Sequence, residues 1–550
     1  MTVSAWLTTL VTWAGLHAEC MEQDWVPKQV AIAAGVAGDS HVSITWITDD
    51  PRDDNDSCNT VAVAQISGPL GLAKVPTLQV VGTCLRYSLN SAPDLFGNYT
   101  SGRIHRVLVQ GLVAGSLYQY KLQGDPADGP DRRFRTLPAS EERDPSQQDP
   151  RFPFTMGVLG DLGQTLHSEE TVKHLDADQE LQIILHAGDM SYSDTNSPRW
   201  DSYGMKMEPL ASRLQWMVCP GNHEIESDFY TGQNFVAYEA RFAMPAVQEA
   251  EFSPSPGQVG CKHPFPNEPH TGADCTPSEF TCHYDWGNSF YAFDSGPARV
   301  ISLNSYAHTD QSSAQYNWLK EELAALERRR ANTPWLIIMM HCPFYTSNVA
   351  HHKEGQAVLM RDLHGFEELF FQHKAAIVIS GHVHAYERSH PVYRNQTKAN
   401  APTYIVVGDG GNREGLASSY LQAPDWSAFR DGKSFGHGRI VIANKTHMRW
   451  EWHRNSQSDS RRVMELAKDA GSASVGSLPT GTFVDDSVWI INPYKQHHDD
   501  PSHRLANASL LTLGIVAGSA AALVAGVLLV QRCRKRSTRS VCSGSELASA

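Results

Sequence analysis

Positive charge is scarce in this chain of 550 residues: 46 lysines and arginines stand against 60 aspartates and glutamates, for a formal net charge of -14. That deficit argues against a nucleic-acid partner, since gripping a phosphate backbone requires a net basic face, although it leaves room for a local basic site. Charged residues make up only 19% of the chain against 41% apolar ones, a balance that excludes a disordered polymer and reads as globular. The length excludes one ordinary domain, so two folded units with appendages are expected. Cysteine is sparse, at 10 residues. Cys58 and Cys84 fall early, and Cys261, Cys275 and Cys282 cluster in one loop-rich segment. This distribution fits disulfides better than cytosolic thiols and leaves their connectivity open.

An uncharged run stands at each end of the chain. Residues 1–18 lack Lys and Arg and finish in small residues, which reads as a secretory signal peptide. Residues 510–530 carry no charge and are long enough to cross ~30 Å of hydrocarbon as one C-terminal transmembrane helix. Arg532, Arg534, Lys535, Arg536 and Arg539 follow, the positive excess of a cytosolic side, so 531–550 reads as a cytosolic tail. The expectation is a single-pass type I membrane protein of the secretory pathway, its body extracellular or lumenal, at the plasma membrane or in an acidic compartment. Gly514 and Gly518 form a GxxxG pair too common in apolar segments to imply a dimer, and the oligomeric state stays open. Cys533 stands where palmitoylation occurs. Asn55, Asn98, Asn395, Asn444 and Asn507 each begin an N-x-S/T acceptor, which adds a glycoprotein expectation.

Between the ends the pattern changes once. Over 26–138, short runs at 29–36, 41–48, 60–67, 78–89, 105–112, 118–123 and 132–136 alternate apolar and polar residues, with turn residues between them. Period two without a helical period predicts an antiparallel β-sandwich. The charged, Pro-bearing stretch 139–151 marks a boundary. Beyond it, apolar runs at 154–159, 181–186, 214–218, 335–340 and 375–379 alternate with helical stretches such as 314–330, the pattern of an α/β domain with buried strands over 152–455. Residues 456–508 weaken into Ser, Asp, Gly and Pro and read as a partly structured stalk. The Pro-, Gly- and Cys-rich stretch 251–282 reads as a stapled surface loop.

In open α/β sheets, ligands bind beyond the carboxyl ends of the strands. Each of the five apolar runs is followed at once by oxygen or imidazole donors: Gly160-Asp161, Gly188-Asp189, Gly221-Asn222-His223, His341, and Gly381-His382-Val383-His384. The glycines let the backbone turn sharply and bring the next side chain toward a shared centre. A lone Gly-Asp after a strand is usually a turn, and a lone buried His is usually a satisfied core residue. Five such endings in one domain, with Asp, Asn and His and no Cys, suit hard or borderline metals and supply donors enough for two. Cys219 and Cys342 stand beside two of these turns and read as buried thiols or a structural disulfide.

The set Gly160-Asp161-Leu162-Gly163, Gly188-Asp189-Met190-Ser191-Tyr192, Gly221-Asn222-His223-Glu224, His341 and Gly381-His382-Val383-His384-Ala385-Tyr386-Glu387-Arg388 resembles the metal-binding motifs of purple acid phosphatases, within the calcineurin-like metallophosphoesterases. Gly408-Asp409-Gly410-Gly411-Asn412 and Ser434-Phe435-Gly436-His437-Gly438 are similar to supporting stretches of that family. Most other metallophosphoesterases carry His two residues after the first Asp, where this chain has Gly163; Tyr192 stands where purple acid phosphatases use a tyrosinate.

The resemblance implies a metallophosphoesterase fold, a β-sheet sandwich flanked by helices, preceded by an all-β fibronectin-III-like domain. It implies a binuclear centre in which Asp161, Tyr192 and His384 hold Fe(III), Asn222, His341 and His382 hold a divalent Fe, Zn or Mn, and Asp189 bridges. Such a pair clamps a phosphate and supplies a metal-bound hydroxide, the chemistry of an acid phosphatase acting on phosphate monoesters, nucleotides among them. For the proton to the leaving alkoxide the candidates are His223 and His351 or His352, and the family's pattern points to His351. The same centre in a more open rim would make a nucleotide phosphodiesterase or pyrophosphatase. A non-catalytic cell-surface binding protein is the alternative of another class, and it predicts decay among donors that are all chemically competent here.

Overall fold

The computed structural model describes residues 26–49, 60–67, 78–126, 128–139, 149–245, 284–353, 365–455 and 483–494. The first part of the chain is strand but for one helical turn at Pro93–Phe96: β1 (Lys28–Ala34), β2 (Val42–Thr48), β3 (Thr60–Ser67), β4 (Leu78–Val81), β5 (Thr83–Leu85), β6 (Arg103–Val109), β7 (Leu117–Leu122) and β8 (Arg132–Arg135). β4-β3-β7-β8 form one antiparallel sheet, which shares a core with β1, β2 and β6 through Val30, Ile44, Trp46, Val61, Tyr120 and Phe134. The alternation seen in the sequence puts these side chains on the inner faces. Cys84 is disulfide-bonded, whereas Cys58, Cys261, Cys275 and Cys282 lie outside the described residues, as does the stretch 251–282.

The second part interleaves strands and helices. It contains β9 (Phe154–Leu159), α1 (Leu166–Ala177), β10 (Ile183–His186), α2 (Arg199–Ala211), β11 (Gln215–Val218), α3 (Val236–Arg241), β12 (Tyr291–Ser295), β13 (Ala298–Ser302), α4 (Ala314–Glu327), β14 (Trp335–Met339) and α5 (Phe366–Gln372). Then follow β15 (Ile377–Ser380), β16 (Tyr386–Ser389), the small hairpin β17 (Val392–Tyr393) and β18 (Gln396–Thr397), β19 (Thr403–Val407), β20 (Ser427–Asp431), β21 (Gly436–Ile442), β22 (His447–Arg454) and β23 (Phe483–Ile491).

Two sheets carry this part, a seven-stranded one ordered β12-β13-β14-β15-β19-β16-β20 and a ten-stranded one ordered β23-β22-β21-β9-β10-β11-β1-β2-β6-β5. Their centres are parallel, β9-β10-β11 in one and β13-β14-β15-β19 in the other. Residues of these strands are buried on both faces, hence the unbroken apolar runs. In β14, Trp335, Ile337 and Met339 join a core shared with Val158, Leu185 and Met217 of the other sheet, while Leu336 and Ile338 pack with Leu319, Leu323 and Phe370 of α4 and α5. The result is a sheet sandwich flanked by helices.

The ten-stranded sheet runs across the stretch 139–151 that the sequence marks as a boundary, because β1 pairs in parallel with β11 at Ile32 and Gln215. Within 456–508, read as a stalk, residues 483–491 form β23, which extends the same sheet by pairing along β22.

The expected single-pass membrane topology is corrected. Among the described residues no helix is long and apolar enough to cross a membrane. The longer helices, α2 and α4, have 13 and 14 residues and interrupt their buried positions with exposed polar ones, short of the ~20 apolar residues a span needs. The segments 1–18, 510–530 and 531–550, with Gly514, Gly518, Cys533, Asn55 and Asn507, lie outside the described residues. Asn98, Asn395 and Asn444 are exposed.

Candidate metal centre

The five apolar runs become β9, β10, β11, β14 and β15, and the loops leaving their carboxyl ends meet at one buried point. These loops are bent hard. Asp161, Asp189, Tyr192 and His382 have φ of +54°, +53°, +49° and +69°, a left-handed conformation that costs a non-glycine residue of order 1 kcal/mol or more and gathers at functional sites. Glycine clears the space between them. A Cβ on Gly188, at φ +82°, would stand 2.5 Å from His341 Nδ1, and one on Gly381 would stand 2.3 Å from Asp161 Oδ2.

Two groups of donors result. In the first, Tyr192 Oη lies 3.2 Å from Asp161 Oδ1 and 3.0 Å from His384 Nε2, which is itself 3.4 Å from Asp161 Oδ1. In the second, Asn222 Oδ1 lies 3.1 Å from His341 Nε2 and 2.9 Å from His382 Nδ1, and Asp189 Oδ2 is 3.0 Å from His341 Nε2. Ligand atoms of Asp189, His341 and His382 all fall within 4.8 Å of one another. The groups are stitched together, since His382 N–H donates to Asp161 Oδ2 at 2.8 Å. All seven donor residues named from the sequence are therefore brought into one cluster.

The electrostatics ask for cations. Asp161 and Asp189 are buried, and among the described residues their ion-pair partners are histidines alone. Burial, together with the carboxylates of Asp161 and Asp189, pushes the Tyr192 phenol well above its ordinary range, so protein groups by themselves do not make it a phenolate. Burial also disfavours a charged His341, yet Asp189 and Asp161 outweigh that and raise its pKa to about 9. Buried anionic oxygens and imidazoles without an Arg or Lys counter-ion form a donor set that fits two hard or borderline metal ions.

The proton-donor candidates flank this cluster. His223 packs its ring against that of Tyr192, tilted by 37° with centroids 4.0 Å apart, its backbone N–H donates to Asp189 Oδ1 at 2.9 Å, and its Nδ1 is held by the Asp194 carboxylate. Its Nε2 faces Glu414 Oε1 at 3.7 Å. Burial opposes its charged form, but Asp189, Asp194 and Glu414 lift its pKa to about 10. His351, at φ +56°, has its ring centroid 4.0 Å from that of His382. His352 turns instead to the carbonyl of Thr346, at 3.3 Å. Cys219 and Cys342 are buried thiols, not joined in a disulfide.

Several residues here have no role in the sequence reading. Glu224 accepts the backbone N–H groups of Asp189, Met190 and Gly221 at 2.8, 2.9 and 2.8 Å, locking two of the loops together. Its place in Gly221-Asn222-His223-Glu224 was the signal. Tyr306 donates to Asn222 Oδ1 at 3.2 Å from a loop with no motif at all. Asp409 accepts from Trp452 Nε1 at 2.8 Å and ties the loop after β19 to β22.

Comparison with known proteins decides the family. Residues 154–386 match the family model described as calcineurin-like phosphoesterase, and 401–464 match that described as iron/zinc purple acid phosphatase-like protein C. Purple acid phosphatase 22 of Arabidopsis thaliana is 34% identical over 465 residues, which cover 84% of this chain and 89% of that protein. The chain belongs to the purple acid phosphatase family. It is a metal-dependent phosphatase of metallophosphoesterase fold. The Fe(3+)-Zn(2+) purple acid phosphatase 12 of Arabidopsis thaliana is 33% identical over 416 residues, 72% of this chain and 74% of that one. The solved structure of a purple acid phosphatase from yellow lupin (Lupinus luteus) seeds superposes with a TM-score of 0.59 at 22% identity, covering 84% and 78% of the two chains, which supports the fold.

Proposed function

We propose that this purple acid phosphatase hydrolyses small phosphate monoesters at a binuclear centre of Fe(III) and a divalent Fe, Zn or Mn, releasing inorganic phosphate. The observation that carries this is the meeting of N and O donors from five strand ends at one buried point without an Arg or Lys counter-ion. Asp161, Tyr192 and His384 would hold Fe(III), Asn222, His341 and His382 the divalent ion, and Asp189 both. When bound, the metals supply a Lewis-acid clamp on the phosphate and an activated water for in-line attack.

The chain's own side chains do the rest. Asp194 fixes the His223 ring by its Nδ1, leaving Nε2 to hand a proton to the departing alkoxide. His351, against the His382 ring, is the second donor. Burial keeps bulk water from both carboxylates. We assign 26–138 to a fibronectin-III-like domain, a reading supported by its two facing strand layers, and 152–455 to the catalytic domain. Exposure supports Asn98, Asn395 and Asn444 as glycosylation acceptors.

Metal analysis with a visible spectrum tests the centre. Iron and a tyrosinate charge-transfer band are expected, with the band lost in Tyr192→Phe; absence of both iron and band overturns it. Purified protein should hydrolyse a nucleotide monoester faster than a nucleotide diester, and a clear preference for the diester would favour a phosphodiesterase instead.

A further inference from the structure

Against its net charge of -14, the chain places two arginines at the mouth of the metal centre. Arg413 follows β19 in the segment Asn412-Arg413-Glu414-Gly415, which is pinned on both sides by the centre itself. Asn412 donates from its backbone N–H and its Nδ2 to the carbonyl of Asp161, both at 3.2 Å. The Gly415 carbonyl pairs with His384 Nδ1 at 3.1 Å, and Ala417 N–H donates to the His384 carbonyl at 2.8 Å. Glu414 N–H closes the turn on Asn412 Oδ1 at 2.9 Å. The backbone under Arg413 is thus fixed relative to two of the proposed ligands.

The Arg413 side chain is 40% exposed and donates through Nη2 to Asp194 Oδ2, the carboxylate whose other oxygen holds His223. Arg199 stands close enough to feel the charge of Arg413, and its Nε donates to the Tyr192 carbonyl at 2.9 Å. Asp194 neutralises one guanidinium of the pair, while the inward Glu414 carboxylate lies within 3.9 Å of His223 Nε2 and His384 Nε2. A leaving alcohol that takes its proton from His223 stands one carboxylate away from Arg413, since Asp194 bridges the two side chains. One edge of that guanidinium is engaged by Asp194 and the other faces solvent, the geometry that takes a carboxylate or phosphate through paired N–H donors.

We infer that Arg413 is a specificity-determining residue that selects phosphate monoesters whose alcohol carries a second anionic group, a carboxylate or a further phosphate. This rests on the proposed monoesterase activity and deepens it. A structural role for Arg413, acting only through Asp194 and His223, would lower turnover of all esters by one factor. Recognition of a second anion makes the losses unequal.

The test measures kcat/KM of the full metal-loaded chain for 4-carbamoylphenyl phosphate, 4-carboxyphenyl phosphate and 1,4-phenylene bisphosphate, which differ in the remote group alone. The wild type should prefer the anionic esters to the amide by about tenfold, the worth of one charge-assisted hydrogen bond. That preference should fall to about one in Arg413→Gln, survive in part in Arg413→Lys, and weaken with added salt. The carboxylate and bisphosphate arms separate the two anion classes. Equal losses on all three esters, or a wild-type preference for the amide, overturn the inference while leaving the monoesterase reading intact. A wild type inert toward all three overturns the reading beneath it.

Discussion

Replacing Glu224 with Gln probes how the loops of the centre are held. The Glu224 carboxylate is buried, and its Oε2 accepts from Asp189 and Gly221 while Oε1 accepts from Met190. Burial and the neighbouring charge of Asp189 raise its pKa to about 8, against the hydrogen bonds from Met190 and Gly221. A glutamine has one accepting oxygen. Its best orientation keeps the oxygen at the doubly used position and turns an NH2 toward the Met190 N–H. With that pKa the carboxyl is mostly neutral below pH 8, so what is lost is one hydrogen bond to a neutral acceptor, at about 0.5–1.5 kcal/mol, and a buried donor is left without a partner, at about 1–3 kcal/mol. A net loss of about 2–3 kcal/mol is expected. Thermal unfolding of the chelated protein should show a midpoint several degrees lower, and the purified variant should hold less metal, because Asp189 is no longer fixed. An unchanged midpoint together with full metal content would refute the reasoning.

Three further outcomes follow from the same geometry. His223→Asn should lower kcat about 10²–10⁴-fold for alkyl phosphates and much less for esters of acidic phenols, whose leaving group needs no proton; equal losses would remove His223 as proton donor. Chelation of the metals should abolish activity and lower the unfolding midpoint, with both restored by iron and zinc, since a ligand at about 100 times its Kd contributes about 2.7 kcal/mol. The third outcome concerns His437, which is buried between His174 and His453 at ring separations of 5.9 and 5.2 Å. Burial first, then His453, His174 and Arg439, holds it well below its ordinary value, and burial depresses His174 and His453 as well, against the pull of Glu170 and Glu451. The fold therefore favours the neutral rings. Their contribution is fully present above about pH 6.5 and lost as the pH falls through the lowered folded values. Unfolding midpoints measured from pH 7.5 to 4.5 should decline for the wild type, with a shallower slope in His437→Gln.

Much of the site was legible because each donor follows an apolar run with a glycine or a bare strand end between them, a local pattern. Asp161, Asp189, Asn222, His341, His382 and His384 all came from it, and Tyr192 came from its distance to Asp189 within the family motif. Glu224 and Asp194 stand inside or beside those motifs and had no role in the sequence reading, since nothing local says that an acid will be buried under three backbone N–H groups or aimed at an imidazole. Tyr306 carried no signal. Strand β23 was hidden for a related reason: Asp485 and Asp486 break its apolar run, and Asp486 is accommodated by Tyr386 and Arg388, which reach its carboxylate at 2.7 Å from another sheet.

The amino-acid sequence alone determined the donor chemistry, the strand-end placement of each donor and the all-β character of the first part, because these depend on residue type and on spacing over a few positions. The tertiary structure decided which of 25 histidines converge, and how. Asp161 and His382 touch across 221 residues of chain, and their meeting is set by the order of parallel strands in two packed sheets. It also decided that β1 joins β11, so that the first part of the chain continues the catalytic sheet. Backbone pairing between distant strands is open to any extended segment, and only the packed core selects among the partners.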